Sequence, residues 1–250
     1  MILSSQNRFH KNPPQTYRAI TIMPAAVQNK VTYASLANAI VSHGRYSHLV
    51  VMLNHTHPFW IARIAAITNT LGHSVVIVPP NHPLNLNVFY GMGAHLTERT
   101  QSQFLIYANS DVLFHEGWDR TMLDQWDEHP DKDDILTMHA YSGIAHGGGP
   151  SYRKEPGTGV LESHAPLMQA WAIRRSTKWK FDTRFDFYNT DCDFWLSAKD
   201  AGKKMMVSQE SRVDHENSVC RTHFRKLPPV TSIEDSNALM KQKWGSAYHG

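Results

Sequence analysis

The sequence predicts an α/β protein with a mostly parallel central sheet and helices on both of its faces. Two observations support this fold class. Strand-like and helix-like segments alternate through the first half of the chain, which is typical of a parallel sheet. The strand-like segments are also continuous apolar runs, as expected for strands that are covered on both sides.

In the first half of the chain, proline, glycine and polar clusters mark the ends of the predicted strands and helices. Apolar runs that end at proline or at polar clusters indicate strands, and apolar residues at helical spacing followed by Gly44 or Gly72 indicate helices. In order, they are a strand at Tyr17 to Met23 stopped by Pro24, a helix at Tyr33 to Ser42, a strand at His48 to Leu53, a helix at Phe59 to Leu71, a strand at Ser74 to Val78, a helix around Val88 to Arg99 and a strand that begins near Phe104.

The second half is less regular. It contains a strand at Asp134 to Met138, a glycine-rich irregular stretch from Ser142 to Gly159, a helix running from Asp191 to Ala201, a strand at Lys204 to Val207 followed by a polar turn at Ser211 to His215, and a final helix at Asp235 to Trp244. We expect a polar arm over residues 1–16, one domain over 17–226 with halves 17–114 and 115–226, and an extension over 227–250.

The composition limits the classes of function that fit the chain. The chain has 250 residues, of which 41% are hydrophobic and 19% charged, as in a globular protein with a real core. A net charge of +3 suits a phosphate-bearing ligand but is too weak to indicate nucleic acid by itself. No apolar run reaches the length of a membrane span, the N-terminus lacks a signal-peptide pattern, and the two cysteines form no CxxC pair. These features predict a cytoplasmic protein.

Two acidic positions are candidates for chemistry. Asp111 follows an apolar strand, and the carboxyl ends of strands in open α/β sheets are where ligands bind. A carboxylate there can hold a divalent ion against phosphate oxygens, although an ordinary Asx turn is the competing interpretation. Asp191 and Asp193 fall in the first turn of a helix, where helix capping is the competing interpretation.

The order of several short motifs resembles family 2 glycosyltransferases of the GT-A fold. The motifs are Asn109-Ser110-Asp111, an apolar segment ending at Arg174-Arg175, Phe181-Asp182-Thr183-Arg184-Phe185, Thr190-Asp191-Cys192-Asp193-Phe194-Trp195-Leu196, Ala201-Gly202 and Val213-Asp214-His215. The resemblance spans roughly residues 17 to 220. It implies transfer of a sugar from a nucleotide-sugar donor, most simply a UDP-sugar, to an acceptor hydroxyl.

The resemblance also implies roles for individual residues. Asp111 and His215 would bind Mn²⁺ or Mg²⁺, Asp191 would be the general base, and Asp193 would orient or cap. The residues implied in donor binding are Pro24, Asn54, Asn109, Trp171, Arg221 and Arg225. The chemistry requires these residue types, because the attacking hydroxyl must lose a proton and the departing diphosphate gains negative charge. A single base favours inversion of the anomeric centre.

Departures from the family pattern keep other functions open. Asn54 and Asn109 stand where family members often carry aspartate, so a nucleotide-binding module without catalysis is an alternative. A nucleotidyltransferase ranks lower, because residues 24–30 lack the glycine-rich basic loop expected after its first strand. The acceptor is left open between a glycan, a lipid-linked glycan, a protein and a hydroxylated nucleic-acid base.

Overall fold

The computed structural model describes residues 17–79, 85–142, 157–163, 168–186, 188–215 and 231–248. The strands within these ranges are β1 (Ala19–Ala25), β2 (His48–Leu53), β3 (Ser74–Ile77), β4 (Phe104–Ala108), β5 (Val112–Phe114), β6 (Ile135–Ser142), β7 (Val160–Glu162), β8 (Ala170–Arg174) and β9 (Lys204–His215). The helices are α1 (Lys30–Ser42), α2 (Pro58–Thr70), α3 (Leu86–Leu96), α4 (Trp118–Glu128), α5 (Thr190–Asp200) and α6 (Ile233–Trp244).

The nine strands form one sheet in the order β3-β2-β1-β4-β8-β6-β9-β5, and β7 pairs with β9. Strands β1 to β4 are mutually parallel, whereas β8 runs antiparallel to both β4 and β6. The strand order reverses at β1, because β2 and β3 lie on one side of it and β4 on the other. Such a reversal opens a crevice at the carboxyl ends of the flanking strands, where ligands bind in open α/β sheets.

Each face of the sheet is covered by helices, so the predicted α/β class with helices on both faces is confirmed. Residues of α1, α2 and α4 pack on one face, around the fully buried Trp118 and Trp126. Residues of α3 and α5 pack on the other face, around Phe89, Tyr107 and Trp171. The parallel character predicted for the sheet holds for the first four strands, while the second half is mixed. No helix among the described residues is long and apolar enough to cross a bilayer.

Two of the predicted boundaries that differ from the structure concern residues near the candidate site. Strand β1 does not stop at Pro24, because its pairing with β2 continues through Pro24 to Ala25 after its pairing with β4 has ended at Ile22. The strand and polar turn predicted over residues 204–215 are one strand, β9. Its register against β6 jumps from Ser208 to Arg212, so the polar residues between them form a bulge and the strand continues beyond it.

Candidate active site

The candidate site lies at the carboxyl edge of the parallel strands. The loops after β1 and β2 are joined there, because the Asn54 amide donates to the Ala25 carbonyl at 2.9 Å. Strand β4 ends where the Asn109 amide donates to the carbonyl of Gln169 at 2.8 Å, and the chain then turns through Asp111 into β5. Asp111 therefore follows β4 directly, beside the crevice between β1 and β4.

Asp111 and His215 meet at this edge, although 104 residues separate them in sequence. Strand β5 pairs antiparallel with the end of β9, and the residue opposite His215 is Val112, the neighbour of Asp111. As a result, His215 Nε2 lies 3.1 Å from Asp111 Oδ1. The Asp111 side chain is 2% exposed and that of His215 is 15% exposed, so the pair is largely removed from bulk water.

The pair fits a divalent cation. Mn²⁺ accepts carboxylate oxygen and imidazole nitrogen as ligands. Adjacent ligands of an octahedral ion with bonds of about 2.1 Å lie about 3 Å apart, close to the observed separation of the two atoms. Within the described residues, no group of three His, Cys, Asp or Glu side chains could hold a metal. Asp111 and His215 would therefore supply two ligands to a bound cation, with the remaining positions open to phosphate oxygens.

Asp191 occupies the first turn of α5, and its Oδ1 accepts a hydrogen bond from the Cys192 amide at 2.9 Å. Burial raises the pKa of its carboxyl, although the side chain is still partly accessible. Asp191 is close enough to Tyr90 to raise the pKa of that phenol, after the larger effect of burial. The Tyr90 ring contacts the ring of Tyr107, near the carboxyl end of β4, at 4.5 Å. These contacts place Asp191 near Tyr107 of β4, the strand that Asp111 follows.

Asp193 faces a different neighbour. Its carboxyl is 2.7 Å from Lys243 Nζ and accepts a hydrogen bond from Trp244 Nε1 at 2.8 Å, so it binds the C-terminal helix α6. The residue is only 3% exposed. The Asp193 carboxyl therefore holds α6 against the first turn of α5.

Two predicted donor contacts are buried instead. Trp171 is fully buried, and its ring packs against Tyr107 at 4.6 Å and Phe194 at 5.0 Å, so in this structure it is part of the core beneath the site. Asn54 is 1% exposed, and its Nδ2 donates to the Pro79 carbonyl, which ties the ends of β2 and β3 together. Both residues support the site through packing and hydrogen bonding.

The other predicted donor residues divide into two groups. Pro24 lies buried near the end of β1, and the partly exposed Asn109 lies at the end of β4 on the opposite side of the crevice. Arg221 and Arg225 fall outside the described residues. The described ranges end at His215 and resume at Thr231, on either side of these two arginines. The Thr231 hydroxyl donates to the Asp186 carboxylate at 2.7 Å.

The Arg-Arg pair of the resemblance has a structural role. Arg174 Nη2 binds the Asp127 carboxylate of α4 at 2.6 Å. Arg175 Nη2 donates to the Ser102 hydroxyl at 2.8 Å and to the Thr97 hydroxyl at 3.1 Å, so it closes the loop between α3 and β4.

The sequence analysis missed Asn189, the residue before α5, whose φ of 57° places it in the left-handed region. An asparagine ahead of a helix was the available signal, since asparagine adopts this conformation more readily than most residues.

Comparison by sequence gives no relative: no protein-family profile matches the chain, and no curated protein matches it. Comparison by structure gives many. A mannosyltransferase from Pyrobaculum calidifontis, solved with GDP-Man and Mn²⁺, superposes with a TM-score of 0.55 and 13% identity, over 79% of this chain and 56% of its own. TarS from S. aureus superposes with a TM-score of 0.62 and 13% identity, over 90% of this chain and 38% of its own.

A third solved structure is covered more fully. Glucosyl-3-phosphoglycerate synthase from Mycobacterium tuberculosis, in complex with Mn²⁺, UDP and phosphoglyceric acid, superposes with a TM-score of 0.54 and 15% identity, over 90% of this chain and 75% of its own. The present chain thus spans about half the length of the first two structures and three quarters of the third. At these identities the comparisons show the fold, which is that of GT-A glycosyltransferases.

Proposed function

We propose that this GT-A fold transfers a sugar from a nucleotide-sugar donor to an acceptor hydroxyl, with a divalent cation at Asp111 and His215. The observation that carries the proposal is the contact between these two side chains just beyond β4, the strand next to the strand-order reversal. A metal half-site at that position faces the crevice where a nucleotide would lie in an open α/β sheet. Two of the similar structures were solved with Mn²⁺ and a guanosine or uridine nucleotide.

The residues have separate tasks in this proposal. Asp111 Oδ1 and His215 Nε2 hold the cation, which would offset the negative charge that develops on the departing diphosphate. Arg221 and Arg225 add positive charge to the same leaving group. Asn109, at the end of β4, contacts the donor from the strand edge.

Asp191 takes the proton of the acceptor hydroxyl as the new glycosidic bond forms. A carboxylate with a pKa raised by burial is a stronger base than an exposed one. Its place in the first turn of α5 lets the helix dipole favour the charged form. With one base, the reaction is a single displacement with inversion.

The test is a transfer assay with UDP-sugars and GDP-sugars, with and without Mn²⁺, against glycan acceptors and hydroxymethylated oligonucleotides. We expect Asp191→Asn to lower kcat by about 10²- to 10⁴-fold with an unchanged donor Kd, since only proton removal is lost. Asp200→Asn, at the exposed end of the same helix, is the matched control and should retain full activity. Full transfer by the Asp191 variant would refute the proposed role.

A second candidate function is a nucleotide-binding module without turnover. The asparagines at positions 54 and 109 motivate it, because family members often carry aspartate there and an amide adds no charge to the site. Tight, Mn²⁺-dependent UDP binding together with neither transfer nor donor hydrolysis would identify the module. Release of UDP that depends on an acceptor would identify the transferase.

A further inference from the structure

The first turn of α5, which carries Asp191, is held from outside by α6. Asn189 precedes α5 with a φ of 57°, and its side chain makes no capping hydrogen bond to that helix. Its Nδ2 donates instead to the Ser236 hydroxyl at 3.0 Å and to Asn237 Oδ1 at 2.9 Å, both on α6. An asparagine before a helix usually accepts a hydrogen bond from the helix amides, so here the capping side chain is redirected to another element.

Further contacts fix the same junction. The Ser236 hydroxyl donates to the Tyr188 carbonyl at 2.9 Å, just before the start of α5. The Tyr248 hydroxyl, beyond the end of α6, donates to Asn237 Oδ1 at 2.8 Å. Beneath these bonds, the fully buried Met240 packs with Phe185 and Leu196 in a small apolar cluster. The left-handed start of α5 is therefore fixed by contacts with α6, not by its own turn.

A lysine of α6 also forms ion pairs with carboxylates on and near α5. Lys243 Nζ lies 2.7 Å from Asp193 Oδ1 and 2.8 Å from Asp182 Oδ2. Asp193 is only two residues from Asp191, so an uncompensated charge on it would oppose ionisation of the base. Lys243 supplies the compensating charge.

We propose that α6 is a positioning element for the general base: Asn237 fixes the start of α5 through Asn189, and Lys243 neutralises the carboxylates beside Asp191. The effect of α6 on the geometry and ionisation of Asp191 stands without catalysis, whereas its consequence for rate rests on the proposed function. Neither Asn237 nor Lys243 touches the reacting atoms in this proposal. Each acts through α5.

The titratable groups near Asp191 are Tyr90 on α3, Tyr248 beyond α6 and Cys192 on α5, and Asp193 lies two residues further along α5. The phenols and the thiol are neutral near pH 7, since burial raises their pKa values, that of Cys192 to about 12. Asp193 is the other carboxyl group of this set, and Lys243 is bound to it.

The experiment compares Lys243→Gln with Lys241→Gln, which removes an exposed lysine two residues earlier on the same helix. The Asp191 carboxyl is titrated by carbon NMR in the full-length protein and both variants. We expect the Lys243 variant alone to titrate at higher pH, because the charge that balanced Asp193 has gone. Equal titration in the two variants would overturn the electrostatic part of the proposal.

Rate measurements supply the second readout. In Lys243→Gln, the acidic limb of kcat/KM should move to higher pH, with a loss of roughly threefold on that limb and recovery at alkaline pH. A fold defect would lower the rate at every pH. Asn237→Ala should lower kcat at every pH with an unchanged donor KM, whereas Gln242→Ala, at an exposed position on α6, should not. An Asn237 variant with unchanged kcat would overturn the geometric part.

The two proposals fail differently. If the wild-type protein transfers no sugar but the Asp191 titration still depends on Lys243, the proposed function is wrong and the effect of α6 on Asp191 stands. If the wild-type protein transfers sugar and both α6 variants match their controls, the role of α6 is wrong and the proposed function stands.

Discussion

Replacing His48 with glutamine is expected to reduce the loss of stability that the protein undergoes as the pH falls from 7 to 5. His48 Nε2 is hydrogen-bonded to the Ser74 hydroxyl at 2.9 Å. Burial, followed by the nearby His73, lowers the pKa of His48 from 6.5 to about 4. Between these values the unfolded chain binds more protons than the folded protein. The free energy of unfolding therefore falls as the pH drops below 6.5.

The size of the effect follows from the two pKa values. At pH 5 an unfolded histidine with a pKa of 6.5 is almost fully protonated, and the folded one is not, so the loss relative to pH 7 is about 2 kcal/mol. Because His48 is partly accessible, about 1–2 kcal/mol is the range to expect. That is a large fraction of a typical stability of about 5–15 kcal/mol.

The assay is urea unfolding followed by tryptophan fluorescence at pH 5 and pH 7. The wild type, His48→Gln and His95→Gln are compared, and the last is the matched control because the His95 side chain is 82% exposed. We expect the His48 variant to lose less stability between the two pH values than the other two proteins. If all three lose the same amount, burial does not hold His48 neutral and the reasoning is refuted.

Three further predictions concern packing, metal and base. Gly93→Ala should destabilise the protein by about 1–3 kcal/mol in urea unfolding, because the added Cβ would lie 2.6 Å from side-chain carbons of Ile22. The control is Gly91→Ala, which has open space around the added Cβ and should stabilise the protein by about 0.5–1 kcal/mol. Asp111→Asn should abolish the increase in Tm that UDP gives with Mn²⁺, and an undiminished increase would exclude it as a ligand. Wild-type kcat/KM should fall with decreasing pH around a pKa above the ordinary 3.8 of aspartate, owing to the burial of Asp191, and an acidic limb at or below that ordinary value would contradict this.

Local sequence patterns predicted the elements whose residues all lie in similar surroundings. Strands β1 to β4 are apolar at nearly every position because helices cover both faces of that part of the sheet, so the runs themselves reveal the class. Strand β9 could not be predicted as one element. Its polar residues between Ser208 and Arg212 look like a turn, and only the partner strand β6 decides that they form a bulge within a longer strand.

Only part of the candidate site could be predicted from the sequence. The motif order correctly suggested that Asp111 and His215 are neighbours, and the register of β5 against β9 brings them together. Whether Trp171 faces a ligand or the core could not be predicted, because sequence does not say which face of a central strand is open. In the structure it lies opposite Tyr107 on the adjacent strand, and α3 and α5 cover that face.

The two carboxylates of α5 show what sequence alone could not separate. Asp191 and Asp193 occur in one short motif, and either could be a base or a structural anchor. The difference arises from α6, about 50 residues further along the chain, which gives Asp193 an ammonium and an indole partner. Asp191 is held instead by an amide of its own turn, in surroundings that raise its pKa. Distinct environments for neighbouring carboxyl groups are what assign an acid or base role in enzymes. On this basis Asp193→Asn should weaken the docking of α6, whereas Asp191→Asn should remove the proton acceptor and leave α6 in place.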